Sequence, residues 1–434
     1  MARDDRRIAA LRRLAAHVAE IAPLDLSVRL WDGTVLPLSP QADEALMLVI
    51  TTPVALTRLV RRPRLTTVVE LIGEGAVDLE GGTLLDLSAR LGGGSTRGIA
   101  RRLNKTLAAR TLLPFLFGPG SGGAGHAYAG SQEAKLGQGR DDKALVQFHY
   151  DLSNDFYALF LDPERVYSCA YFPDWDADIA TAQQAKLEMI CRKLRLQPGE
   201  RMLDIGCGWG GLVCHAAQHF GVRAHGVTLS QAQHDFAVEK VKRLGLEDRV
   251  TIELRDFRDL AGMEFDKIAS IGMFEHVGLE NRAGYFRQIR ALLKPRGIYL
   301  HHAITRPMKK TERDFRKKRP EYSAIINYVF PGSELDHIGG TVDALEAGGF
   351  EVHDVEGWRE HYGRTCRLWT ERLYANRAAA EAEVGAAKTR LWLLYLAGVC
   401  LGFERGTIGI FQTVATKRAR GASGMPPTRG DLYA

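Results

Sequence analysis

The feature that most constrains the fold is a glycine-rich turn between a predicted strand and a predicted helix. The stretch "LDIGCGWGG", residues 203–211, continues the strand-like run 201–205 and opens a helix. Gly206, Gly208 and Gly211 fit the pattern GxGxxG, in which residues without side chains let the backbone approach a bound cofactor. The pattern alone is a weak signal, because a tight turn without a ligand satisfies it too. Its place in the first strand–helix unit favours a cofactor site.

The C-terminal two thirds of the chain alternates strand-like and helix-like segments. The strand-like runs are 201–205, 222–227, 250–254, 265–271, 297–303 and 350–355, with 409–416 as a further strand. Helix-like segments such as 230–245 and 283–293 fall between them. This alternation predicts an α/β fold with a parallel, Rossmann-like doubly wound sheet. Residues 143–198 are predicted to form a helical cap over the carboxyl end of that sheet.

A glycine- and serine-rich stretch divides the chain. Residues 118–139, "GPGSGGAGHAYAGSQEAKLGQG", lack a periodic apolar pattern and are predicted to form a flexible linker. A chain of 434 residues is also long enough for two domains. We therefore expect an α+β domain over 1–117, with lipid binding as a candidate role, and a larger domain over 140–434 that carries the glycine turn.

Composition excludes several classes of protein. Hydrophobic residues make up 45% and charged residues 25%, as in soluble globular proteins, and a net charge of +6 does not by itself indicate nucleic-acid binding. Six scattered cysteines without a CxxC pair predict a reduced, cytosolic protein without a metal site. The N-terminus reads as an amphipathic helix and not as a signal peptide. The longest apolar run, Leu391–Phe403, is 13 residues, so we expect no membrane crossing.

Two features bear on which cofactor the glycine turn binds. Asp204 stands just before the first glycine, where S-adenosylmethionine (SAM) methyltransferases carry an acid. The second strand ends in "HGVTLS", without the carboxylate that a nicotinamide enzyme would use on its ribose. Both features favour SAM, and a nicotinamide dehydrogenase is the weaker alternative.

The segment "SIGMFEHVGLEN", residues 270–281, places Glu275 and His276 side by side where an apolar strand is predicted to end. Adjacent residues of a strand point to opposite faces of the sheet, so we expect the two side chains to have different roles. For His276 we expect a structural role as a partner of backbone groups.

Several segments together resemble the cyclopropane fatty acid synthase family, which includes the mycolic acid cyclopropane synthases. Besides the glycine turn they are "FHYDLSNDFYALFLD" (148–162), "YSCAYF" (167–172), "GVTLSQAQ" (226–233), "GMFEHVG" (272–278) and "HYGRTCRLW" (361–369). The resemblance covers roughly residues 140–416, and "GEGAVDLEGGTLLDL" at 73–87 is similar to the small N-terminal domain of longer members. It implies a class I SAM-dependent methyltransferase fold.

The resemblance implies transfer of a methyl group from SAM onto a cis double bond of a phospholipid acyl chain. The alkene attacks the sulfonium methyl and becomes a carbocation; a base then removes a proton from the new methyl group and the ring closes. Such chemistry needs a dry site, and aromatic faces would stabilise the cation. Relatives with the same motifs make methyl-branched or methylene chains instead, and this C-methyltransferase activity is the alternative. An inactive lipid-binding scaffold is disfavoured by the intact set of site residues.

The resemblance also implies roles for individual residues. Family members use a bound bicarbonate ion as the base, and Glu275 matches the residue that orients it. Cys169, His302, Tyr362 and the backbone of Ile304 match its other contacts. For Cys169 and His302 the alternative is a buried structural role. The positions implied around SAM are Tyr167, Ser168, Asp204, Gly206, Gly208, Thr228, Ser230, Gln233, Asp256 and Phe257.

The expected partners are unsaturated phospholipids at a membrane surface, and nucleic acid is not expected. The basic segment 306–330 and the arginines Arg61, Arg62 and Arg64 are candidates for contact with anionic head groups, a solvated loop being the alternative for the former. We therefore expect a cytoplasmic protein that lies peripherally on the inner membrane face. A homodimer is left open.

Overall fold

The computed structural model describes residues 2–22, 24–91, 101–118, 152–317, 329–330 and 332–433. These residues form two compact units. The first contains the described residues up to Gly118 together with Thr370–Gly398, and the second contains most of the remainder. The expected domain over 140–434 therefore differs from the observed grouping, which places 370–398 with the first unit. Apart from Gly118, the expected linker lies outside the described residues.

The first unit is built on a four-stranded sheet in the order β2-β1-β3-β4. Its strands are β1 (Ser27–Arg29), β2 (Val35–Pro37), β3 (Met47–Ile50) and β4 (Val77–Glu80). Its helices are Ala2–Ile21, Pro53–Arg61, Leu65–Gly73, Leu84–Leu91, Lys105–Leu116 and Arg377–Val384. Ala55, Leu71 and Phe115 are fully buried in its core. This mixture of helices and strands is the α+β arrangement that the sequence predicts.

The second unit contains a seven-stranded sheet in the order β10-β11-β9-β8-β5-β6-β7. The strands are β5 (Arg201–Ile205), β6 (Arg223–Thr228), β7 (Val250–Leu254), β8 (Phe265–Ile271), β9 (Leu293–Thr305), β10 (Phe350–Gly357) and β11 (Gly409–Lys417). Only β11 runs antiparallel to its neighbours, β9 and β10. The chain reverses its direction of travel across the sheet at β5, because β6 pairs with one side of β5 and β8 with the other. In open α/β sheets, ligands bind at the carboxyl end of the strands at such a point.

Helices of the second unit join and flank these strands. They are Asn154–Ala158, Ile179–Leu194, Gly211–Phe220, Gln231–Arg243, Arg282–Leu292, Glu312–Phe315, Ile338–Ala347 and the first part of Arg359–Ala375. The predicted cap over 143–198 is only partly helical, since 159–178 consists of turns and bends. Pro163 and Pro173 explain the difference, because the residue before a proline is disfavoured in the helical conformation. The helix restarts after Asp178, whose side chain accepts a hydrogen bond from Thr181 N.

Successive residues of β5 contribute to different hydrophobic cores. Met202 belongs to a cluster with Ile190 and Val213, whereas Leu203 belongs to a cluster with Ile268. Because neighbouring strand residues point to opposite faces, both faces of the sheet are covered. A doubly covered sheet explains the nearly continuous apolar character of its strands.

Within the described part of the chain, one helix, Ala386–Glu404, is long and apolar enough to cross a bilayer by length and composition. The core helix of a soluble protein has the same length and composition. Several of its side chains, including Leu396 and Cys400, are fully buried in the protein. The expectation that the chain does not cross a membrane stays a prediction.

Candidate functional site

A cavity of about 570 Å³ lies at the point where the strand order reverses. Its walls come from the carboxyl ends of β5, β6 and β8 and from the segments that follow them. All of the predicted SAM-binding residues except Ser230 line it: Tyr167, Ser168, Asp204, Gly206, Gly208, Thr228, Gln233, Asp256 and Phe257. The structure therefore brings together residues that lie as far apart as 90 positions in the sequence.

The glycine turn forms the floor of this cavity. Gly206 and Gly208 have φ angles of +81° and +54°, in the region that glycine enters without steric cost. The amides of Gly206 and Cys207 both donate to Val227 O, at 2.9 and 3.0 Å, and so tie the turn to the end of β6. A Cβ atom on Gly206 would lie 3.1 Å from Met273 Cγ. The turn thus needs glycine both for its backbone conformation and for close approach.

Ser230 is the exception among the predicted cofactor residues. Its buried hydroxyl accepts a hydrogen bond from Gln233 N at 3.4 Å and caps the helix Gln231–Arg243. The residue type and its position at a strand end fit a helix cap as well as a ligand, and a role of Ser230 in cofactor binding stays a prediction. Nearby, Thr228 Oγ1 donates to Gln233 Oε1 at 2.8 Å, which leaves the Gln233 amide nitrogen as the donor of that side chain.

Lys186 is a cavity residue that the sequence analysis missed. It belongs to the helix Ile179–Leu194, is fully buried, and donates from Nζ to Ser168 Oγ at 2.8 Å. Burial lowers the pKa of Lys186 to about 8, against the opposing charges of Asp162, Cys169 and Asp204. A signal was present in the sequence, since Lys186 lies on the same helix face as the buried Ala182 and Ile190.

Asp204 is the buried acid opposite Lys186. Burial raises the pKa of Asp204 to about 7, and the charge of Lys186 acts in the other direction. Its Oδ1 atom is buried without a hydrogen-bond partner among the described residues. A group that carries both a carboxylate and an ammonium, as the amino-acid end of SAM does, fits between a lysine donor and an unsatisfied carboxylate oxygen.

Asp256 and Phe257 form the cavity wall beyond β7. The Asp256 carboxylate accepts from Arg258 Nε at 2.9 Å and from Arg258 Nη2 at 2.6 Å. Phe257 contacts the ring of Tyr285 edge-on, with 5.4 Å between the centroids. These contacts fix the wall in place.

The residues predicted to bind bicarbonate do not line this cavity but lie beside it. Ser168 lines the cavity, and the next residue, Cys169, belongs to the neighbouring group. The amide of Gly272, another lining residue, donates to His302 O at 2.8 Å. The cavity and the second group are therefore connected by adjacent residues and by a backbone hydrogen bond.

Glu275 is the buried acid of this second group. Its Oε1 atom accepts a hydrogen bond from Ile304 N at 2.6 Å, so two of the predicted contacts meet directly. Its Oε2 atom is buried and has no hydrogen-bond partner among the residues that the structure describes. Burial raises the pKa of Glu275 to about 7, although the Ile304 hydrogen bond opposes this effect. Such a carboxyl group can hold or release a proton near neutral pH.

The expectation that Glu275 and His276 lie on a strand is wrong. Strand β8 ends at Ile271, Gly272 follows with a φ of +65°, and Phe274–His276 form a 3₁₀ turn. Successive residues of such a turn point about 120° apart, so the two side chains still have different surroundings. His276 lines the cavity and packs on Phe330 with 4.5 Å between ring centroids. Its expected partnership with backbone groups stays a prediction.

His302 and Cys169 both contact Trp358, which the sequence analysis did not identify. The His302 ring meets the Trp358 ring edge-on at 5.2 Å, and Cys169 Sγ lies 3.9 Å from Trp358 O. Burial and the charges of Lys186 and Lys193 hold the pKa of His302 well below its usual value, so the ring is neutral. Burial raises the pKa of the Cys169 thiol well above its usual value. Cys169 is therefore a weak hydrogen-bond donor and not a thiolate nucleophile.

Tyr362 lies one helical turn beyond Trp358, and its amide donates to Trp358 O at 3.0 Å. Its ring packs on Phe403 at 4.6 Å and meets Trp369 at 6.0 Å between centroids. Cys169, His302 and Tyr362 thus all adjoin the same tryptophan.

Aromatic rings also connect the cavity to this second group. Tyr167 lines the cavity and lies 5.1 Å from Trp369 and 5.7 Å from Tyr157, measured between centroids. Tyr157 in turn contacts Trp209, another lining residue, at 4.9 Å. Aromatic faces, which attract cations, therefore line the cavity and adjoin the second group, where Trp369 contacts Tyr362.

Comparison with known proteins identifies the family that the chain resembles. The sequence pattern of the family described as mycolic acid cyclopropane synthetase matches residues 138–413. The chain is 40% identical over 302 residues to a "Probable fatty acid methyltransferase" of Pseudomonas putida, which covers 68% of this chain and 74% of that protein. It is 39% identical over 269 residues to the "Cyclopropane-fatty-acyl-phospholipid synthase" of Escherichia coli K12, covering 62% of this chain and 66% of that one.

A solved structure of a mycolic acid cyclopropane synthase is also similar to this chain. The mycolic acid cyclopropane synthase CmaA1, complexed with SAH and CTAB, matches with a TM-score of 0.60 and 35% sequence identity. The match covers 63% of this chain and 98% of that one.

The buried ammonium of Lys186 predicts that SAM binding depends on pH. The ammonium is present below about pH 8 and is lost above it, so attraction for the SAM carboxylate should fall as the pH rises through that value. We expect Lys186→Gln to bind SAM about tenfold to a hundredfold more weakly at pH 7 and to lack this pH-dependent loss. Isothermal titration calorimetry across this pH range measures both effects.

Lys267→Gln is the matched control. Lys267 is also buried with a lowered pKa, but it lies at the opposite end of the sheet and pairs with Glu200. Titration of the SAM amino group affects the wild type, Lys186→Gln and Lys267→Gln equally. Its contribution to the pH dependence of the SAM affinity therefore cancels when the three proteins are compared. A parallel loss of affinity in wild type and Lys186→Gln above about pH 8 would contradict the role of Lys186.

Proposed function

Since this chain belongs to the mycolic acid cyclopropane synthetase family, we propose that it converts cis double bonds of unsaturated phospholipid acyl chains into cyclopropane rings. It is a SAM-dependent methyltransferase of the cyclopropane synthase type. The observation that carries the proposal is the buried carboxyl group of Glu275, which lies directly beside a SAM-sized cavity. One of its oxygens accepts from Ile304 N, and the other has no hydrogen-bond partner among the described residues.

The reaction requires one carbon–carbon bond to form, one proton to leave and a second carbon–carbon bond to close the ring. SAM, when bound, supplies an electrophilic methyl group and departs as S-adenosylhomocysteine. The alkene donates its π electrons to that methyl carbon, and the positive charge passes to the other alkene carbon. Loss of a proton from the new methyl group then provides the electron pair for the second ring bond.

The residues around Glu275 are suited to remove that proton. The pKa of Glu275 near 7 means that its carboxyl group accepts or releases a proton at small cost. We propose that Glu275 Oε2 accepts the hydroxyl hydrogen of a bicarbonate ion, which serves as the base. His302 Nε2, which is buried without a partner among the described residues, is suited to donate a hydrogen bond to that ion. The Cys169 thiol donates to Ala170 O at 3.2 Å and would have to turn from that carbonyl to reach the ion. Two buried acids that share a proton avoid the cost of two separate charges.

The same surroundings exclude water from the cation. Glu275, His302 and Cys169 are each at most 3% exposed, and Trp358 is 1% exposed. Water would add to the carbocation and give an alcohol, so exclusion is part of the chemistry. The faces of Tyr167, Trp369 and their neighbours supply a nonnucleophilic environment that stabilises positive charge.

A SAM-dependent C-methyltransferase is the second candidate function. It is favoured by the 40% identity to the Pseudomonas putida protein described as a probable fatty acid methyltransferase. That reaction would use the same attack on SAM but lose a different proton, and it would give a methyl-branched or methylene chain.

The phospholipid substrate is supported by the name of the Escherichia coli relative and by basic and apolar groups on the first unit. Arg61 donates to Leu116 O at 3.0 Å, which places this arginine beside the exposed side chains of Leu116 and Phe117. Such a combination suits an anionic membrane surface, where each basic residue contributes about 1 kcal/mol. We propose that the enzyme works peripherally, from the cytoplasmic side.

The basic segment 306–330 gives less support than its sequence suggests. Lys317 pairs with Asp314 at 2.6 Å, and Arg316 pairs with Glu312 at 2.9 Å, so part of its charge is locally balanced. Residues 318–328 lie outside the described residues, and their role in lipid contact stays a prediction.

Mass spectrometry of acyl chains tests the proposed function. The protein is incubated with SAM and vesicles of unsaturated phospholipid, with and without an anionic component, and with free unsaturated fatty acid in a parallel sample. We expect a mass gain of one CH₂ group with ring-specific fragmentation, and a higher rate on the anionic vesicles. A branched or methylene product would identify the second function, and a larger rate on free fatty acid would contradict the phospholipid assignment.

Substitution of Glu275 by Gln separates catalysis from stability. The amide keeps the shape but cannot accept a proton, so we expect kcat to fall about a hundredfold or more. SAM affinity should be unchanged, because Glu275 does not line the cavity. Thermal stability should not fall, since burial penalises the ionised carboxylate that the amide replaces. Turnover, calorimetry and melting temperature are measured on one preparation.

Asp266→Asn is the control for this substitution. Asp266 also accepts a backbone hydrogen bond, from Arg201 N at 2.9 Å, but it lies at the opposite end of the sheet. It should keep wild-type kcat. A Glu275→Gln variant that melts at a lower temperature and retains near-normal turnover would show that Glu275 has only a structural role.

A further inference from the structure

A chain of polar side chains leads from His302 to the protein surface. Gln412 Nε2 lies 3.1 Å from His302 Nδ1, and Lys193 Nζ donates to Gln412 Oε1 at 2.7 Å. Lys193 also pairs with Glu356, whose side chain is partly exposed. Lys193, Gln412 and His302 are each at most 1% exposed. The proposed mechanism uses His302 and leaves Gln412, Lys193 and Glu356 without a role.

The donor and acceptor atoms of Lys193, Gln412 and His302 are compatible with only one set of hydrogen bonds. A lysine amine or ammonium donates here, so the atom of Gln412 that faces Lys193 is its carbonyl oxygen. The amide NH₂ of Gln412 must then face His302 and donate to Nδ1. In a neutral imidazole one nitrogen accepts and the other carries the hydrogen, so the hydrogen of His302 lies on Nε2.

The sheet and a neighbouring ring hold this arrangement in place. Gln412 on β11 is the direct cross-strand partner of His302 on β9. Lys193 lies 4.9 Å from the centroid of the Trp358 ring, and the same ring contacts His302 edge-on. Lys193 therefore contacts both Gln412 and Trp358, the two side chains that adjoin His302.

We propose that Gln412 and Lys193 are positioning residues that fix the tautomer of His302, so that His302 presents an N–H donor at Nε2 to an anion in the site. This inference rests on the proposed function only for the identity of the anion. His302 Nε2 is buried without a hydrogen-bond partner among the described residues, as a donor that serves a bound ion would be. With the other tautomer, Nε2 would present a lone pair and repel an anion.

The competing explanation is purely structural. A buried lysine needs polar partners, and Gln412 and Glu356 supply them whatever His302 does. That explanation predicts that changes at Gln412 lower stability and leave the tautomer and the kcat of the folded protein unchanged.

Gln412→Glu tests the proposal with almost no change of shape. A carboxylate accepts hydrogen bonds from both sides, so it keeps the contact with Lys193 and requires His302 Nδ1 to carry the hydrogen. Nε2 then becomes an acceptor. Nitrogen chemical shifts of ¹⁵N-labelled histidine distinguish the two tautomers, and His302→Gln identifies the His302 signals by their loss. The measurement is made at about pH 8.5, where a buried imidazole is neutral.

We expect Nε2–H in the wild type, Nδ1–H in Gln412→Glu, and a kcat about tenfold to a hundredfold lower in the variant. SAM affinity should match wild type at the same pH. Thr413→Val is the matched control, because Thr413 is the next buried residue of β11 and faces the other side of the sheet. It should keep both the wild-type tautomer and the wild-type kcat. Gln412→Met, which removes both amide contacts, should lower kcat without fixing either tautomer.

Two results would overturn the proposal. One is a wild-type His302 that carries its hydrogen on Nδ1. The other is a Gln412→Glu variant with the altered tautomer and unchanged kcat. Absence of any lipid product from the wild type would refute the proposed function separately, and the chemical shifts would still decide the tautomer.

Discussion

The hydrogen bond from Ile304 N to Glu275 Oε1 is the contact on which the site depends. It joins the 3₁₀ turn after β8 to the end of β9, and it holds a carboxyl group in a place where burial resists ionisation. One satisfied oxygen anchors the side chain, and the other has no hydrogen-bond partner in the part of the chain that the structure describes. A more exposed acid would keep its ordinary pKa and admit water, which a carbocation reaction cannot tolerate.

One helix, Ile179–Leu194, supplies charge to both parts of the site. Lys186 and Lys193 lie seven residues apart, and therefore on the same side of the helix. Lys186 reaches Ser168 at the cavity, and Lys193 reaches Gln412 beside His302. Both positive charges lower the pKa of His302 and so keep its ring neutral. The cofactor cavity and the surroundings of His302 are therefore electrostatically linked.

The sequence predicted the class I methyltransferase fold, the family and most of the cavity, because strand–helix alternation and a glycine turn have strong local signatures. Local patterns failed where tertiary contacts decide the structure. The 3₁₀ turn at Glu275 depends on Gly272 ending the strand, and Ser230 caps a helix that the sequence could equally place beside a ligand. Trp358 could not be predicted because its contact with Cys169 joins residues 189 positions apart. Lys186 had only the helical pattern of buried residues to indicate it. The roles of the individual site residues stay predictions.

We propose that a bicarbonate ion held by Glu275 removes the proton that allows ring closure. The most direct test of this proposal is the turnover of the wild-type protein in buffer freed of carbon dioxide, with saturating SAM and unsaturated phospholipid vesicles, as bicarbonate is added back. We expect little turnover without bicarbonate and a saturable rise as the ion is restored. Full turnover in the depleted buffer, unchanged by added bicarbonate, would contradict it.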